Sequence, residues 1–353
     1  MVRGSIPPRG AIYKERCIMN ILITGGLGYI GSHAAVEFTK QGHNITIIDN
    51  SPTYSADELY KFWTKFVDYG HTPTIISANL MNIDRLKNIF SVNKFDCVMH
   101  FAGNIEVGES VKNPLKYYSN NVHATENLLL CMCLYNCPYI IFSSTAAVYN
   151  PVNKDHIVPF QEEDTENGIC KSYITNPYGN SKLACENLIR DVANTGKINY
   201  TIFRYFNVAG ANRADGLTEN HQSCSHLIPN LVNNIKNDKP FFINGIDYNT
   251  VDGTCSRDYI HVNDIVNAHS LVLTPKKKNE IYNLGSIGNN YYTVKQVVYL
   301  AEILMNKKGN ICIGQRREGD PDILCASASK FCADYGTDWL KNNTMTDIIS
   351  DYI

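Results

Sequence analysis

The stretch NILITGGLGYIGSHAAVEFTKQGHNITIIDN, from Asn20 to Asn50, constrains the fold of this chain more than any other. A short apolar run, Asn20 to Thr24, is followed by a glycine-rich turn and then by a segment of helical length, Ser32 to Gln41. Gly42 ends that segment, and a second β-branched run follows from Asn44 to Ile48. A strand–helix–strand unit of this kind has parallel strands, because the crossover helix returns the chain to the same end of the sheet.

The alternation of strands and helices continues to about Asn207. TIISAN, FDCVMHFAG, YIIFSS and NYTIFRYFN read as strands, separated by the helical segments NIDRLKNIFSVN, NNVHATENLLLCMCLYN and SKLACENLIRDVANTG. The strands are almost continuously apolar, as expected when both faces of a sheet are covered by helices. The sequence therefore predicts an α/β fold of the Rossmann type, built on a doubly wound parallel sheet.

The character of the sequence changes after Asn207, where polar loops, glycines and shorter elements begin. We predict a dinucleotide-binding domain over residues 19–207 and a smaller C-terminal α/β lobe, mainly for substrate, over residues 208–353. The segment RDYIHVNDIVNAHSLVL could return to the first domain. Residues 1–18 carry charge and two prolines without the apolar centre of a signal peptide, so we expect a disordered extension.

Composition excludes several classes of function. The 353-residue chain has a net charge of -2 and no strong basic block, which argues against nucleic acid as a partner. No apolar stretch reaches the roughly 20 residues that span a bilayer, so no membrane partner is expected. The twelve cysteines are scattered, and HQSCSH lacks the further ligands of a zinc site, so we predict no metal and a reducing, cytoplasmic location.

The glycine-rich turn indicates a dinucleotide. Gly25, Gly28 and Gly31 follow a strand directly and open a helix, where glycines permit a tight turn and a close approach of the backbone to a pyrophosphate. Asp49, at the end of the next strand, can accept hydrogen bonds from both adenosine ribose hydroxyls and would repel a 2′-phosphate. The following Asn50 and Ser51 provide no arginine for that phosphate. NAD is therefore predicted rather than NADP.

The segment NPYGNSK places Tyr178 four residues before Lys182 at the start of a helix. Ser143 and Thr145 lie at the C-terminal end of a strand, which is the edge where open α/β sheets bind ligands. A free tyrosine has a pKa near ~10, and a nearby ammonium would lower the pKa of Tyr178. We predict that Tyr178 is a base for a sugar hydroxyl, with Lys182 as the acidifying cation and Thr145 sharing the proton.

These residues and a series of further motifs carry a family resemblance. From about Met19 onward the chain shows, in order, TGGLGYIGSH, DN, HFAG with VGES, NNV, FSST, NPYG with SK, RYFN, DGT with RDYIHV, YNLG and RREGD. In this it is similar to the extended short-chain dehydrogenases/reductases and, among them, to the UDP-glucose 4-epimerases. RYFN, RDYIHV and RREGD belong to this epimerase subgroup rather than to the fold in general.

The resemblance implies a permanently held NAD and a UDP-sugar substrate, UDP-glucose or UDP-galactose. Tyr178 would deprotonate O4 while the C4 hydride passes to NAD⁺; the 4-ketose would then turn and take the hydride back on its other face. Relatives are usually homodimers built through two helices, so a homodimer is expected. Besides the glycines, Asp49, Tyr178 and Lys182, the implied cofactor contacts are Tyr29, Ile30, Asn50, Asn79, Leu80, Phe101, Ala102, Gly103, Asn121, Ser143 and Tyr205.

The same resemblance implies substrate contacts, mainly in the second lobe. They are Thr145, Asn207, His226, Leu227, Phe242, Asn244, Arg257, Arg317, Asp320 and Leu324. Arginine suits a diphosphate because its fork presents several donors to phosphate oxygens. Leu324 aligns with a position that admits or excludes an acetamido group at sugar C2, and leucine is of intermediate size. Ile105 replaces a lysine that relatives use at the nicotinamide ribose, so NAD retention could be weaker here.

Four other functions remain as alternatives. UDP-N-acetylglucosamine and UDP-pentose 4-epimerases share the chemistry and differ only in substituents of the sugar. A nucleotide-sugar dehydratase is disfavoured, because Ala146 and Ala147 stand where dehydratases carry Asp-Glu. A non-catalytic NAD-binding regulator is also disfavoured, since it would not need Tyr178, Lys182 and the phosphate arginines together.

Overall fold

The computed structural model of the chain describes residues 17–50, 62–66, 69–149, 159–165, 176–219, 226–285, 287, 291–317, 320–342 and 344–353. The strands are β1 (Asn20–Thr24), β2 (Asn44–Asp49), β3 (Thr74–Ser77), β4 (Cys97–His100), β5 (Tyr139–Thr145), β6 (Asn199–Tyr205), β7 (Asn207–Ala209), β8 (Pro240–Asn244), β9 (Ser256–His261), β10 (Glu280–Leu284), β11 (Tyr291–Thr293), β12 (Asn310–Gly314) and β13 (Ile323–Leu324). The helices are α1 (Tyr29–Lys40), α2 (Ile83–Val92), α3 (Val107–Lys112), α4 (Pro114–Tyr117), α5 (Ala124–Leu134), α6 (Pro177–Asn194), α7 (Leu227–Lys236), α8 (Val262–Val272), α9 (Val294–Met305), α10 (Ser329–Tyr335) and α11 (Met345–Ser350).

Seven parallel strands form the main sheet, in the order β10-β6-β5-β4-β1-β2-β3. The order reverses direction at β1, and Ile21 of β1 stands between Ile45 of β2 and Cys97 of β4. A reversal of this kind creates a crevice at the carboxyl ends of the strands, where open α/β sheets bind ligands. The predicted doubly wound α/β fold is confirmed.

Helices cover both faces of this sheet. On one face, α1 and α8 pack on alternate strand residues such as Ile21 and Ile23, together with Phe331 of α10. On the other face, α2, α5 and α6 pack on the intervening residues such as Leu22 and Val98. Because each strand is buried on both sides, its sequence shows a continuous apolar run rather than alternation.

Three helices differ from the sequence-based expectation at their N-terminal ends. α6 begins at Pro177, four residues before the segment SKLACENLIRDVANTG. α1 begins at Tyr29, three residues before the predicted start, because the glycine turn passes directly into the helix. The predicted helix over NNVHATENLLLCMCLYN begins with a π-helical turn at Tyr118–His123 and becomes α-helical at Ala124. The π-helical turn carries Asn121, one of the predicted cofactor residues.

The second part of the chain forms two smaller sheets. β9 pairs with β7, β11 and β13, and β8 pairs with β12. α7, α9 and α11 pack on β8 around a third apolar cluster that includes Leu231 and Val297. α8 and β10 also come late in the sequence, but α8 packs on the main sheet and β10 joins its edge.

No helix in the described ranges is both long enough and apolar enough to cross a membrane. The predicted disordered extension lies largely outside the described residues. Only its last two residues, Cys17 and Ile18, are described, and both are exposed.

Candidate active site

Close backbone packing explains the predicted glycines between β1 and α1. Gly25 has a φ of +70°, and a Cβ on it would lie 2.7 Å from the backbone nitrogen of Ala102. A Cβ on Gly31 would lie 2.2 Å from the carbonyl oxygen of Gly25, and Gly28 is the N-cap of α1. The glycine turn therefore holds the first turn of α1 against the end of β1 and beside β4. The N–H groups at the start of such a helix fit a pyrophosphate.

Asp49 lies where β2 ends, next to the glycine turn. Its half-buried carboxylate accepts a hydrogen bond from the backbone N–H of Leu27 at 3.0 Å. Asn50 follows it and is exposed, and Asn79, just after β3, accepts from the backbone N–H of Met81 at 2.9 Å. The structure thus brings Asp49 to the turn and leaves Asn50 and Asn79 at the outer end of the crevice.

Tyr29 and Ile30 form the first residues of α1. The hydroxyl of Tyr29 donates to the carbonyl oxygen of Gly210, and Ile30 packs on the core of the main sheet. Leu80 is buried, and its carbonyl oxygen accepts from the side chain of Asn127 at 3.0 Å. The side chains of Tyr29, Ile30 and Leu80 therefore pack into the protein, and it is their main chain that lies along the crevice.

The chain leaving β4 approaches Lys182, the lysine predicted to acidify Tyr178. Phe101 and Gly103 follow β4, and a Cβ on Gly103 would lie 3.3 Å from the Nζ of Lys182 and 3.2 Å from the Oδ1 of Asn121. The amide of Asn121 donates to the hydroxyl of Ser181 at 3.0 Å. The ends of β4, the π-helical turn and α6 therefore meet within a few ångströms.

Lys182 is held at the end of β5. Its ammonium donates to the carbonyl oxygen of Ser143 at 2.9 Å and lies 4.8 Å from the ring centroid of Phe142. The hydroxyl of Ser143 is 3.0 Å from the hydroxyl of Tyr205, which ends β6. Lys182 is only 3% exposed, and burial lowers the pKa of its ammonium while the nearby Glu186 carboxylate opposes that effect.

Tyr178 is placed by the start of α6. Pro177 occupies the first helical position, where its missing N–H costs nothing, and the side chain of Asn176 accepts from the backbone N–H of Gly179 at 2.8 Å. The ring of Tyr178 is buried beside that of Tyr117, with centroids 6.4 Å apart. The cap and the proline fix the helix start, and with it the position of the tyrosine.

The protonation of Tyr178 differs from the sequence-based expectation. Burial raises the pKa of Tyr178 to about 12, and a side-chain hydrogen bond with Thr145 partly opposes this rise. The buried phenolate loses hydration, and this effect exceeds the opposing one of the Thr145 hydrogen bond, while the Lys182 ammonium donates to the Ser143 carbonyl. In the protein alone, Tyr178 keeps its proton at neutral pH.

His269 belongs to the site although no sequence pattern indicated it. Its Nδ1 lies 2.9 Å from the carbonyl oxygen of Ile265, so Nδ1 carries the proton and Nε2 accepts from the hydroxyl of Tyr205 at 2.9 Å. Its ring is 5.1 Å from that of Phe101. Burial lowers the pKa of His269 to about 4, so the ring is neutral and fixes the orientation of the Tyr205 hydroxyl.

A buried ion pair beneath the catalytic helix was also missed. Glu186, one turn after Lys182 on α6, binds the guanidinium of Arg204 on β6 at 3.0 and 2.7 Å. The carboxylate of Glu186 also accepts from Ser144 on β5, and Arg204 donates to the hydroxyl of Tyr149 at 3.0 Å. The pair therefore fixes α6 to β5 and β6. The RYFN motif contains Arg204, but nothing in the sequence identifies Glu186 as its partner.

The predicted substrate residues gather mainly around β9. Arg257 donates from Nη2 to the carboxylate of Asp320 at 2.5 Å and from Nη1 to the carbonyl oxygen of Ser256 at 2.7 Å. Asp320 also accepts from the hydroxyl of Tyr248 at 3.0 Å. Arg257 is thus paired with Asp320, and the carboxylate of its sequence neighbour Asp258 accepts from the backbone of Ala326 instead.

Arg317 lies beside the β8–β12 sheet. With the amide of Asn244 turned so that its oxygen faces the guanidinium, Nε and Nη2 of Arg317 both lie 3.2 Å from that oxygen. Phe242, two residues earlier on β8, is 55% exposed. An exposed aromatic ring next to these polar groups suits a nucleobase.

Asn207, His226 and Leu227 have different surroundings. Asn207 begins β7 and donates to the carbonyl oxygen of Asp258 at 2.9 Å, so it lies beside β9. His226 caps α7 and forms a hydrogen bond with the buried carboxylate of Glu219. Leu227 packs partly into the third apolar cluster. Asn207 is thereby connected to the strand that carries Arg257.

Leu324 lies between the predicted substrate residues and the end of β5. In β13 it stands opposite Arg257 of β9, and its side chain packs against an apolar cluster that includes Ala146, the residue after Thr145. Leu183, next to Lys182, belongs to the same apolar cluster. The two groups of predicted site residues therefore meet at Leu324.

Comparisons with known proteins agree with this architecture. Residues 21–285 match the NAD dependent epimerase/dehydratase family. The UDP-glucose 4-epimerase of Lactobacillus helveticus is 36% identical over 94% of this chain and 95% of its own length. The structure of UDP-glucose 4-epimerase from Stenotrophomonas maltophila, with bound NAD and formylated UDP-arabinopyranose, matches with a TM-score of 0.84, 33% identity and coverage of 95% of this chain and 96% of that one. The enzyme from Bifidobacterium longum in complex with NAD⁺ and UDP matches with a TM-score of 0.80, 31% identity and coverage of 94% and 96%. The chain therefore belongs to the NAD-dependent epimerase/dehydratase family, whose cofactor is the NAD predicted from the glycine turn and Asp49.

Proposed function

We propose that this chain interconverts UDP-glucose and UDP-galactose by inverting the configuration at C4 of the sugar. The observation that carries the proposal is the convergence of Tyr178, Thr145 and Lys182 at the strand edge that fits NAD. The UDP-glucose 4-epimerases named above resemble this chain over nearly its whole length, which supports the same reaction here.

The residues around the crevice fit the dinucleotide. The glycine turn would bind its pyrophosphate, Asp49 its adenosine ribose, and the ends of β4 and β5 would lie along its nicotinamide half. When bound, NAD supplies a reversible hydride acceptor. No net oxidation follows, because the hydride returns to the carbon from which it came.

Tyr178 has the position of the general base and general acid. The phenol begins protonated, so its proton must be displaced toward Thr145 or toward solvent before it can accept the proton of O4. Lys182 is the cation, one turn further along α6, that favours the phenolate. The same phenol then returns the proton when C4 is reduced on its other face.

The substrate residues divide into a polar grip and an apolar wall. Arg257 and Arg317 would bind the diphosphate, and Phe242 would contact the base. Beside Thr145 the wall is formed by Ala146 and Leu324, which offer no directional hydrogen bond to a sugar hydroxyl. A sugar ring against such a wall can turn while its diphosphate stays bound.

The experiment is conversion of UDP-galactose to UDP-glucose without added NAD, using protein that retains its own cofactor. The unsubstituted chain should convert the sugar, and Tyr178→Phe should lose about a thousandfold in kcat because the base is removed. Equal activity of the Phe variant would contradict the role of Tyr178. Failure of both proteins to convert the sugar, with NAD present by mass spectrometry, would contradict the proposed reaction itself.

A second substrate pair, UDP-N-acetylglucosamine and UDP-N-acetylgalactosamine, is favoured by one observation. Leu324 is only partly buried at the junction of the apolar wall and Arg257, and it is smaller than an aromatic side chain. We infer that the site also turns over this N-acetylated pair, more slowly. UDP-pentoses share the C4 chemistry, and the same conversion assay with UDP-xylose tests them.

We also infer a homodimer that works in galactose metabolism in the cytoplasm. Several apolar side chains on α3, α4, the π-helical turn and α5 are exposed, and a second copy packing there would bury them: Val111, Leu115, Tyr118, Leu130 and Leu134. The ten described cysteines carry free thiols, as in a reducing compartment. Sedimentation of the unsubstituted chain and of Leu115→Asp tests the dimer, since only the variant should sediment as a monomer. Imaging of a tagged chain tests the compartment.

A further inference from the structure

Gly210, just after β7, has its backbone bound on both sides by tyrosine hydroxyls. Its carbonyl oxygen accepts from Tyr29 at 2.5 Å and from Tyr352 at 3.1 Å, and its N–H donates to the hydroxyl of Tyr352 at 3.0 Å. Tyr29 begins α1 directly after the glycine turn, whereas Tyr352 follows α11. A single residue, Gly210, therefore connects the start of α1 to a segment more than 300 residues away in sequence.

Asp351 holds the next residue of the same loop. Its carboxylate accepts from the backbone N–H of Ala211 at 2.7 Å and lies 2.7 Å from Nε2 of His261. His261 accepts the backbone N–H of Asn263 at its Nδ1, so its Nε2 carries the proton and donates to Asp351. The carboxylate is therefore fixed by two donors from two different elements.

The loop packs closely against its neighbours at Gly210. Gly210 has a φ of +93°, which favours glycine, and a Cβ on it would lie 2.5 Å from Nε2 of His261. The hydroxyl of Tyr29 is partly buried and has the Gly210 carbonyl and the Tyr352 hydroxyl as partners, so displacement of this loop would weaken its hydrogen bonding. The position of the Tyr29 ring, and with it the first residue of α1, thus depends on the position of Gly210.

We propose that Asp351 and Tyr352, here called the clasp, are positioning residues for the NAD-binding turn and control how tightly NAD is retained. The clasp acts through Gly210 on Tyr29, whose main chain lies where the pyrophosphate would bind. The inference rests on NAD binding at the glycine turn, as in the proposed function, and does not depend on which sugar is the substrate.

The same loop reaches the substrate side. β7, which Gly210 follows, begins with Asn207 and pairs with β9 through Tyr259. The clasp therefore contacts the residue that follows β7, and β7 lies between the glycine turn and Arg257 on β9. Since Tyr352 also packs in the third apolar cluster with α11, its contribution to NAD retention has to be separated from its contribution to folding.

The test uses the full chain carrying its own NAD, without any sugar. Bound NAD is exchanged against isotopically labelled NAD at a fixed temperature below unfolding, and the exchange is followed by mass spectrometry. Tyr352→Phe should exchange about tenfold faster, because it removes both hydrogen bonds to Gly210. Asp351→Asn, a milder change, should accelerate exchange by a smaller factor.

Two controls separate positioning from folding. Tyr299→Phe removes a hydroxyl from a tyrosine that is 60% exposed on α9 and should exchange like the unsubstituted chain. Ile348→Val leaves a gap in the buried core of α11 without changing a hydrogen bond, so it should lower the melting temperature of the NAD-free protein but leave exchange within about twofold. Equal acceleration in Ile348→Val and Tyr352→Phe would overturn the proposal.

The combined effect of substituting Tyr29 and Tyr352 on NAD exchange tests the proposal more directly than either single variant. The hydroxyls of Tyr29 and Tyr352 share the Gly210 carbonyl and also bond to each other. Tyr29→Phe combined with Tyr352→Phe should therefore exchange little faster than the faster single variant. Effects that multiply would contradict an action of the clasp through Tyr29. If Tyr352→Phe exchanges as slowly as the unsubstituted chain, the clasp has no role in retention, whereas a chain that never holds NAD contradicts the proposed function instead.

Discussion

The strand ends proposed to bind NAD and the Arg257–Asp320 pair proposed to bind the substrate diphosphate, here called the cofactor edge and the substrate grip, differ in how deeply their charged groups are buried. At the cofactor edge, Lys182 is 3% exposed and its ammonium is bound to the Ser143 carbonyl, and the buried bonds between Glu186 and Arg204 fix its helix to the sheet. At the substrate grip, the side chains of the Arg257–Asp320 pair are 11% and 26% exposed.

This difference matches two kinds of ligand. A cofactor that stays bound suits a rigid edge, because the side chains that contact it are already ordered when the protein folds and lose no further entropy on binding. A substrate that enters and leaves suits groups that can change partners. A diphosphate would have to compete with Asp320 for Arg257, so part of its binding energy is spent on separating that pair.

Breaking the buried Glu186–Arg204 ion pair should have the largest effect on the free energy of unfolding. It should therefore distinguish the cofactor edge from the substrate grip most clearly. Glu186→Gln leaves the Arg204 guanidinium buried without its anion, so the free energy of unfolding should fall by about 3 kcal/mol or more. Chemical denaturation of the NAD-free protein measures this. Adding Arg204→Met to Glu186→Gln should recover part of the loss.

The matched comparison is the exposed pair of Lys307 and Asp238. Asp238→Asn should change the free energy of unfolding by less than about 1 kcal/mol, because the Lys307 ammonium remains in water. A cost for Glu186→Gln as small as this would mean that the cofactor edge is no more rigidly held than the surface.

Substitution of Arg257 in the substrate grip should change KM for the substrate rather than the free energy of unfolding. Arg257→Met should raise KM for UDP-galactose about thirtyfold, since a charged donor to the diphosphate is lost, and should leave kcat and NAD content nearly unchanged. Arg316→Met is the control, because Arg316 stacks on Tyr248 and pairs with Asp322 beside the grip. Equal effects of the two variants would show that general charge, not the fork of Arg257, binds the substrate.

Acid should weaken the cofactor edge through its buried histidines. Burial lowers the pKa of His269 to about 4, so between the ordinary pKa near 6.5 and about 4 the unfolded chain binds a proton that the folded chain does not. Stability therefore falls as pH falls through this window, by about 2 kcal/mol for one such histidine at pH 5.

Chemical denaturation at pH 7 and pH 5 measures the loss. His269→Gln should reduce the loss of stability between pH 7 and pH 5. The control variant His71→Gln, at an exposed position just before β3, should leave this loss unchanged. The same acid loss in all three proteins would assign acid sensitivity to other groups.

Substitution of Leu324 should have the smallest effect on activity, and it tests whether the cofactor edge and the substrate grip meet at this residue. Leu324→Tyr should reduce turnover of UDP-N-acetylgalactosamine about tenfold, because a larger ring fills the space for the acetamido group, while turnover of UDP-galactose changes little. Assays of both sugars with one enzyme preparation test this. Unchanged N-acetyl turnover would refute the role of Leu324.

The predicted cofactor edge rests on local patterns. The glycine turn, Asp49 and the Tyr178–Lys182 spacing are each defined by a few neighbouring residues, and the roles of these residues stay predictions. The α/β fold followed from the alternation of apolar runs for the same reason. The helix start at Tyr29 was missed by one turn because glycines conceal where helical geometry begins.

Long-range partners could not be predicted. Arg257 and Asp320 are separated by 63 residues, and Tyr205 and His269 by 64, with no periodicity to connect them. The direction of the Tyr178 pKa was also missed, because burial depends on how α6 packs over β5 and not on the spacing of two residues. Such quantities arise only when the layers of the fold come together.

The central claim is that Tyr178 starts an oxidation at C4 that is reversed on the same carbon. Proton NMR of the unsubstituted enzyme with UDP-galactose carrying deuterium at C4 tests it most directly. The account predicts UDP-glucose that keeps its deuterium at C4, with no label lost to water. Product that has exchanged this deuterium for solvent hydrogen would contradict the account.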